Sequence, residues 1–295
     1  MKFNKVLFHT RFREMAFNAL ESVLELKKTG LEEIVLVHII PTDEVGFVPY
    51  GGYLKEAAER IREQARNRFE DWQQTIEAAG IRSKIRVETG AVTAKIISIA
   101  EEENVQLIVA GRKKRTLLEL VYVGSHILDL LRRSPLPVLM TKHMVQYEVD
   151  GEQLTRTNDH IFDRPLLATD WSNPSEKALD ALLAFKGLTE KALVTHVIGN
   201  KLAKGMEPAG MQALEDESHR RLKTYCRKLE KEGLSAESHL SFGRPAQEIV
   251  RMSRERRASM IVMGRTGKDW FEEYWLGGVS HKVAEASELP VLLVP

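Results

Sequence analysis

The sequence has little cysteine, almost no net charge and no long apolar run, and each shortage argues against a class of protein. Cys226 is the only cysteine, so no intrachain disulfide can form, which is typical of a reducing compartment. The formal net charge is +1, which gives no electrostatic basis for nucleic acid or an anionic membrane as the main partner. The longest apolar runs, such as residues 107–110, have the length of strands rather than the roughly 20 residues of a membrane helix. We therefore expect a cytoplasmic protein.

Glycines, in contrast, recur at a constant distance along the chain. The pairs separated by 153 residues are Gly80 and Gly233, Gly90 and Gly243, Gly111 and Gly264, and Gly124 and Gly277. A Pro-Val-Leu tripeptide recurs at the same step, at residues 137–139 and 290–292. Glycine marks backbone that turns or approaches another group closely, so a shared glycine pattern indicates two copies of one fold. A period this long indicates a duplicated domain rather than a solenoid.

Each half alternates short apolar segments with longer amphipathic ones. Residues 34–40 are β-branched and aliphatic, typical of a strand buried on both faces, whereas residues 54–79 are charged and long enough for a helix. This alternation predicts an α/β fold of two tandem, doubly wound parallel sheets. Residues 144–163 are polar and lack apolar periodicity, so we predict a first domain at 1–143, a linker at 144–163 and a second domain at 164–295.

The second half contains a glycine-rich loop after a predicted strand. The sequence GRTG at 264–267 is followed by nine residues and then by GGVS at 277–280, which leads into a predicted helix. Two turns without side chains, one of them opening a helix, can direct several N–H groups at a phosphate. Ser280 could cap that helix or offer its hydroxyl to a phosphate. This is not a Walker A loop, because Val262 stands in place of its first glycine and Asp269 in place of its Ser/Thr.

The spacing G-x2-G-x9-G-[S/T] resembles the nucleotide-binding loop of the universal stress protein family. Residues 166–170, followed by Ser172, are similar to the first strand and turn of that family. Residues 194–197 and 289–294 are similar to its second and closing strands, so the resemblance covers nearly the whole chain as a tandem pair. It implies a stress-response or regulatory protein with Rossmann-like domains that binds ATP or AMP, with or without Mg2+.

The resemblance also implies which residues bind the nucleotide in the second half. Asp170 would contact the adenosine, and the backbone of Val197 would contact the adenine edge. The phosphates and ribose would be surrounded by Gly264, Gly267, Gly277, Gly278, Val279 and Ser280. Gly278 stands where the family has Ser or Thr, and the loss of that hydroxyl would cost about 1.5–3 kcal/mol of binding energy.

The first half departs further from this pattern. Lys114 replaces the second glycine of the loop, although Ser125 keeps the family residue, and Thr10 lies roughly where Asp170 lies in the second half. The basic run at residues 112–115 either holds a phosphate by charge or is a solvated loop. We therefore expect the second half to be the one that binds nucleotide.

Family members associate through the closing strand, which implies an internal pseudo-dimer in which Val138–Thr141 and Val291–Val294 meet. This pairing would protect strand edges that are otherwise prone to aggregation.

Two other functions stay open at this stage. The chain could be a nucleotide-independent scaffold whose loop aromatics, Trp270, Phe271, Tyr274 and Trp275, recruit an unidentified protein partner. It could also be a slow ATPase or an autophosphorylating protein that uses Asp170. No Ser/His/Asp or Cys/His set can be placed, and the histidines lack metal-ligand spacing. We therefore predict binding without catalysis and without a metal centre.

Overall fold

The computed structural model describes residues 1–12, 16–42, 47–48, 52–53, 55–111, 125–142, 144–149, 152–265 and 278–295. The chain divides into two compact units, an N-terminal unit of residues 2–141 and a C-terminal unit of residues 142–295 together with Met1. Each unit is a parallel sheet with helices, so the predicted α/β class of the two tandem domains is confirmed.

The N-terminal unit alternates strands and helices. Its elements are β1 (Lys5–His9), α1 (Ala16–Leu24) with a 3-10 turn (Glu25–Thr29), β2 (Glu33–Ile40), β3 (Phe47–Val48), β4 (Gly52–Tyr53), α2 (Lys55–Ala78), β5 (Arg82–Thr89), α3 (Val92–Glu102), β6 (Leu107–Gly111), α4 (Ser125–Arg133) and β7 (Val138–Thr141). The parallel strands lie in the order β7-β6-β1-β2-β5, and β3 and β4 form a separate antiparallel pair.

The C-terminal unit repeats this arrangement after an added hairpin. Its elements are β8 (Met144–Val149), β9 (Glu152–Thr157), β10 (Pro165–Ala168), α5 (Asn173–Leu183), β11 (Lys191–Gly199), α6 (Asn200–Ala203), α7 (Pro208–Lys231), β12 (Ser235–Gly243), α8 (Pro245–Glu255), β13 (Met260–Gly264), α9 (Val279–Ala286) and β14 (Val291–Val294). The parallel strands lie in the order β12-β11-β10-β13-β14. The antiparallel pair β8 and β9 falls in the segment that the sequence predicts as a linker, an assignment that stays a prediction.

Each helix connects two parallel strands, and the direction of that connection determines which face of the sheet the helix covers. In the C-terminal unit, α5 and α7 connect strands toward β12, whereas α8 and α9 connect strands back toward β14. Right-handed crossovers therefore place α5 and α7 on one face and α8 and α9 on the other. The direction reverses between β10 and β13, and the carboxyl ends of these neighbouring strands border the crevice where open α/β sheets bind ligands. The same argument applies to β1 and β6 in the N-terminal unit.

The strands beside this crevice form the core. Residues Leu166, Leu167, Ile261 and Val262 have no exposed surface, because helices cover both faces of the sheet. Among the described helices, none is long and apolar enough to cross a membrane.

Candidate functional site

Asp170 lies two residues after the end of β10, and its carboxylate is fixed by the start of the next helix. Its Oδ1 accepts hydrogen bonds from the Ser172 backbone N–H at 3.1 Å, the Ser172 hydroxyl at 2.5 Å and the Ser175 hydroxyl at 2.6 Å. Ser172 is the N-cap residue of α5, yet its hydroxyl donates to Asp170 and makes no capping hydrogen bond to the backbone of the helix. The carboxylate is therefore held in one orientation at the carboxyl end of the sheet.

Gly264 ends β13 directly against the first turn of α5. A Cβ atom at this position would lie 2.7 Å from the carbonyl carbon of Pro174 and 2.9 Å from the nitrogen of Ser175. Because both of these neighbours are backbone atoms, a side chain at residue 264 would force the strand and the helix apart. Gly264 thus brings β13 to within contact distance of the turn that holds Asp170.

The backbone of Val197 lies on the β10 side of β11, beyond the point where β10 ends. The last backbone hydrogen bond from that side joins the Thr169 N–H to the Thr195 carbonyl at 2.9 Å. Successive residues of a strand alternate between its two edges, so the Val197 N–H and carbonyl face the same side as those of Thr195. Val197 is half-buried. This is the strand edge at which the family resemblance implies contact with adenine.

The start of α9 is tied to the end of β13. Gly278 is the N-cap of α9 with an extended backbone, and no side chain caps this helix end. Ser280 is buried, and its hydroxyl donates to the carbonyl of Arg265, whose own N–H donates to the Val294 carbonyl at 2.7 Å. The hydroxyl hydrogen of Ser280 is therefore used within the protein in this structure. Val279 is exposed.

Some predicted residues lie outside the described ranges. These are Gly267 and Gly277 of the glycine loop and the aromatic residues Trp270, Phe271, Tyr274 and Trp275.

An aromatic cluster beside Asp170 was not anticipated from the sequence. Trp171 has a φ of 68°, which is rare for a bulky residue. Its ring lies 4.7 Å from the His196 ring and 5.3 Å from the Tyr225 ring, and the Arg221 guanidinium lies 5.9 Å from the Trp171 ring centre. His196 Nδ1 donates to the Thr169 carbonyl at 2.8 Å, so this nitrogen carries the hydrogen. The cluster joins the turn after β10 to β11 and α7.

A second unpredicted feature is a buried hydroxyl on β11. Thr195 is 1% exposed, and its Oγ1 has no hydrogen-bond partner within the described structure. It shares the strand face of Val197, two residues away. Among the described residues, no group of three or more His, Cys, Asp or Glu is placed to hold a metal ion.

The N-terminal unit has the same turn after β1. The Phe12 N–H donates to Thr10 Oγ1 at 2.9 Å, as the Trp171 N–H donates to Thr169 Oγ1 at 3.1 Å. Phe12 has a φ of 52° and so shares the left-handed backbone of Trp171. Thr10 is therefore the counterpart of Thr169, and Phe12 is the counterpart of Trp171.

This pairing corrects one expectation from the sequence. The structural counterpart of Asp170 is Arg11, and the expectation that Thr10 lies at that position was wrong by one residue. The constant glycine step of 153 residues does not extend to this turn, where the two units are offset by 159 residues. The N-terminal unit has more residues between this turn and its first repeated glycine than the C-terminal unit has. The equivalent turn residues were therefore identified from their hydrogen bonds.

The glycine of the first loop also differs in its surroundings. A Cβ atom on Gly111 would have Thr141 Oγ1 as its nearest neighbour, at 3.9 Å, an ordinary contact. Ser125 begins α4. Residues 112–115, with Lys114 among them, lie outside the described ranges.

The two tandem units, each a parallel sheet with helices, define a tandem protein of the Rossmann-like α/β class. The model of the Universal stress protein family matches residues 2–142 and 162–295. The chain therefore belongs to the universal stress protein family, as the sequence resemblance indicated.

Individual relatives support the tandem organisation. The crystal structure of a universal stress protein from Archaeoglobus fulgidus DSM 4304 has a TM-score of 0.74 and 25% identity, and the match covers 99% of this chain and 96% of that one. Universal stress protein MJ0577 of Methanocaldococcus jannaschii is 29% identical over 154 residues, which are 48% of this chain and 95% of the relative. Universal stress protein YxiE of Bacillus subtilis is 31% identical over 156 residues, covering 45% of this chain and 99% of the relative. Each of these two shorter relatives thus corresponds to about half of the chain.

Proposed function

We propose that the C-terminal unit binds an adenine nucleotide, ATP or AMP, and that the protein acts as a stress-response regulator through this binding. The observation that carries the proposal is the Asp170 carboxylate, held by Ser172 and Ser175 at the crevice between β10 and β13. A carboxylate fixed in advance can accept hydrogen bonds from ribose hydroxyls without losing conformational entropy on binding.

The surrounding backbone supports the same ligand. Val197 presents an N–H and a carbonyl on one strand edge, which is a donor and acceptor pair that suits the edge of adenine. The N-terminus of α9, capped by Gly278, favours negative charge, so we assign the phosphates to this end of the crevice. Gly267 and Gly277 are proposed phosphate neighbours on the family resemblance, and bound Mg2+ would be held chiefly by phosphate oxygens.

We propose binding rather than turnover because of the hydrogen bonds that Asp170 already accepts. Three donors converge on its Oδ1, and donors to a carboxylate stabilise the charged form and weaken it as a base. Nucleotide binding would instead act on the turn around Asp170 and on the start of α9. Location in the cytoplasm and an internal pseudo-dimer through Val138–Thr141 and Val291–Val294 stay predictions from the sequence.

Calorimetric titration of the full chain with ATP and with AMP, in the presence of MgCl2, tests the proposal. We expect one nucleotide to bind per chain and Asp170→Asn to weaken binding about tenfold to a hundredfold, because one charged hydrogen-bond partner is lost. Asparagine keeps an Oδ1 acceptor for the two serines, so the turn should persist.

Asp180→Asn is the matched control. Asp180 is an exposed residue of α5, the helix that follows Asp170, and its substitution makes the same change of charge. Nucleotide affinity should not change in this variant. Absence of binding at millimolar nucleotide, or equal affinity of wild type and Asp170→Asn, would show that the site is misassigned.

A further inference from the structure

The carboxyl end of β1 has the opposite charge to its counterpart in the C-terminal unit. Arg11 takes the position of Asp170, as the turn hydrogen bonds show. Two residues earlier, His9 takes the position of the small and buried Ala168. On the 153-residue step of the glycines, His126 in the first turn of α4 takes the position of Val279. An acidic and apolar site in one unit thus corresponds to a basic site in the other.

His9 is buried and points toward the helices that begin at this end of the sheet. The preceding residue, Phe8, packs edge-on against Trp72 of α2 at 6.2 Å, so His9 lies on the opposite face, the side of α3 and α4. The residue is 6% exposed. Within the described structure its Nε2 has no hydrogen-bond partner, and such a buried nitrogen is destabilising unless a further group supplies one.

The starts of α3 and α4 lie next to each other on this face of the sheet. The hydroxyl of Thr93, in the first turn of α3, donates to the carbonyl of His126 at 3.3 Å. His126 is exposed and Arg11 is half-buried, so both can be reached from solvent.

Among the described residues, the titratable groups that act electrostatically on His9 are basic. Burial, and after it the electrostatic influence of His38, Arg11 and His126, lowers the pKa of His9 to about 3. The N-terminus of α4 adds a partial positive charge on this side of the sheet. An anion placed here would be attracted by the Arg11 guanidinium and would supply a hydrogen-bond partner for the buried imidazole.

We propose that the N-terminal unit binds a phosphate-type oxyanion without a nucleobase at the carboxyl end of β1, between Arg11, His126 and His9. A guanidinium can donate two parallel hydrogen bonds to such an oxyanion. His126 contributes a donor from the first turn of α4, and His9 closes the inner side of the site. Adenosine is not a ligand, because the carboxylate that the C-terminal unit offers to ribose is replaced here by a cation.

The test is titration of the full chain with inorganic phosphate and with pyrophosphate. Binding is measured by calorimetry and by NMR of the histidine rings. We expect saturable binding of pyrophosphate, a change in the His9 ring resonances and a rise of the His9 pKa. Arg11→Gln should weaken this binding about tenfold to a hundredfold. His126→Ala should weaken it as well, and because His126 is exposed this variant keeps the test valid if Arg11→Gln fails to fold.

Lys28→Gln is the matched control, since it also removes one positive charge. Lys28 is exposed at the end of the turn that precedes β2, at the opposite end of the sheet from Arg11. The proposal is overturned if pyrophosphate does not bind, if Lys28→Gln weakens binding as much as Arg11→Gln, or if adenosine competes with pyrophosphate. Asp170→Asn separates the two sites, because it should weaken ATP binding and leave pyrophosphate binding unchanged.

Discussion

Asp170 in the C-terminal unit and Arg11 in the N-terminal unit occupy the same step after the first strand of their sheets, and they carry opposite charge. The backbone around them is the same: a threonine hydroxyl accepts from the N–H two residues later, and that residue has a left-handed φ. The turn geometry therefore does not depend on the charge of the residue in between. The two units thus share the hydrogen bonds that form the turn and differ in the side chain at its centre.

An ion pair farther from the site also has its charges exchanged between the two units. The edge contact between Lys84 and Glu103, at 2.7 Å, corresponds on the 153-residue step to Glu237 and Arg256, at 3.8 Å, with the signs exchanged. Because both partners changed together, each copy keeps an attractive pair. The comparison shows that the fold constrains pairs of residues more than single positions.

The largest expected difference between the units is at their equivalent glycines. Gly264→Ala should destabilise the C-terminal unit by about 3 kcal/mol, because the new methyl group would overlap backbone atoms of Pro174 and Ser175. Gly111→Ala should cost less than about 0.5 kcal/mol, since its nearest neighbour is a hydroxyl at ordinary contact distance. Neither glycine has a left-handed φ, so the difference is steric. Urea unfolding, with each unit followed by hydrogen exchange of its own peptides, measures both values, and equal losses would contradict the packing role of Gly264.

The next difference is a buried carboxylate in the N-terminal unit. Burial alone would raise the pKa of Glu103, but hydrogen bonds from Lys84, Lys5 and Arg86 outweigh it and hold the pKa at about 2. Since the pKa is lower in the folded state, the ion pairs stabilise the fold above the ordinary value near 4.5, and this stabilisation is lost as the pH falls toward 2.

Glu103→Gln should therefore destabilise the N-terminal unit by about 2 kcal/mol at pH 7 and by almost nothing at pH 2. The same urea experiment at both pH values measures this change. Glu237→Gln in the C-terminal unit should have a smaller effect, because its carboxylate is more exposed. A loss for Glu103→Gln that does not depend on pH would exclude the electrostatic explanation.

The smallest difference concerns the contact between the first helix and the long helix of each unit. In the N-terminal unit Phe17 meets Trp72 at 5.5 Å, whereas in the C-terminal unit the Tyr225 hydroxyl donates to Glu176 at 2.6 Å. Tyr225→Phe should cost about 1 kcal/mol of stability, the usual net contribution of one hydrogen bond. In a Glu176→Ala background the same substitution should cost clearly less, as a double-mutant cycle would show. An unchanged cost in that background would mean that the hydroxyl contributes through another contact.

Local sequence patterns predicted most of the secondary structure. The charged segment 54–79 forms α2 (Lys55–Ala78), and the closing strands Val138–Thr141 and Val291–Val294 have the predicted bounds. Amphipathic periodicity and β-branched runs depend on nearby residues alone, so a sequence shows them directly. The polar hairpin of β8 and β9 was missed because polar strands lack the alternation that marks a buried face.

The sequence by itself determined the duplication, the α/β class and the family, since glycine spacing, strand patterns and the loop motif are all properties of neighbouring residues. The tertiary structure alone decided that Arg11 is the counterpart of Asp170 and that Gly264 makes room for α5, a segment about 90 residues away in sequence. It also decided that His9 is buried and that its Nε2 has no hydrogen-bond partner in the part of the chain that the structure describes. These features arise where strands distant in sequence become neighbours, and such contacts leave no periodic pattern along the chain.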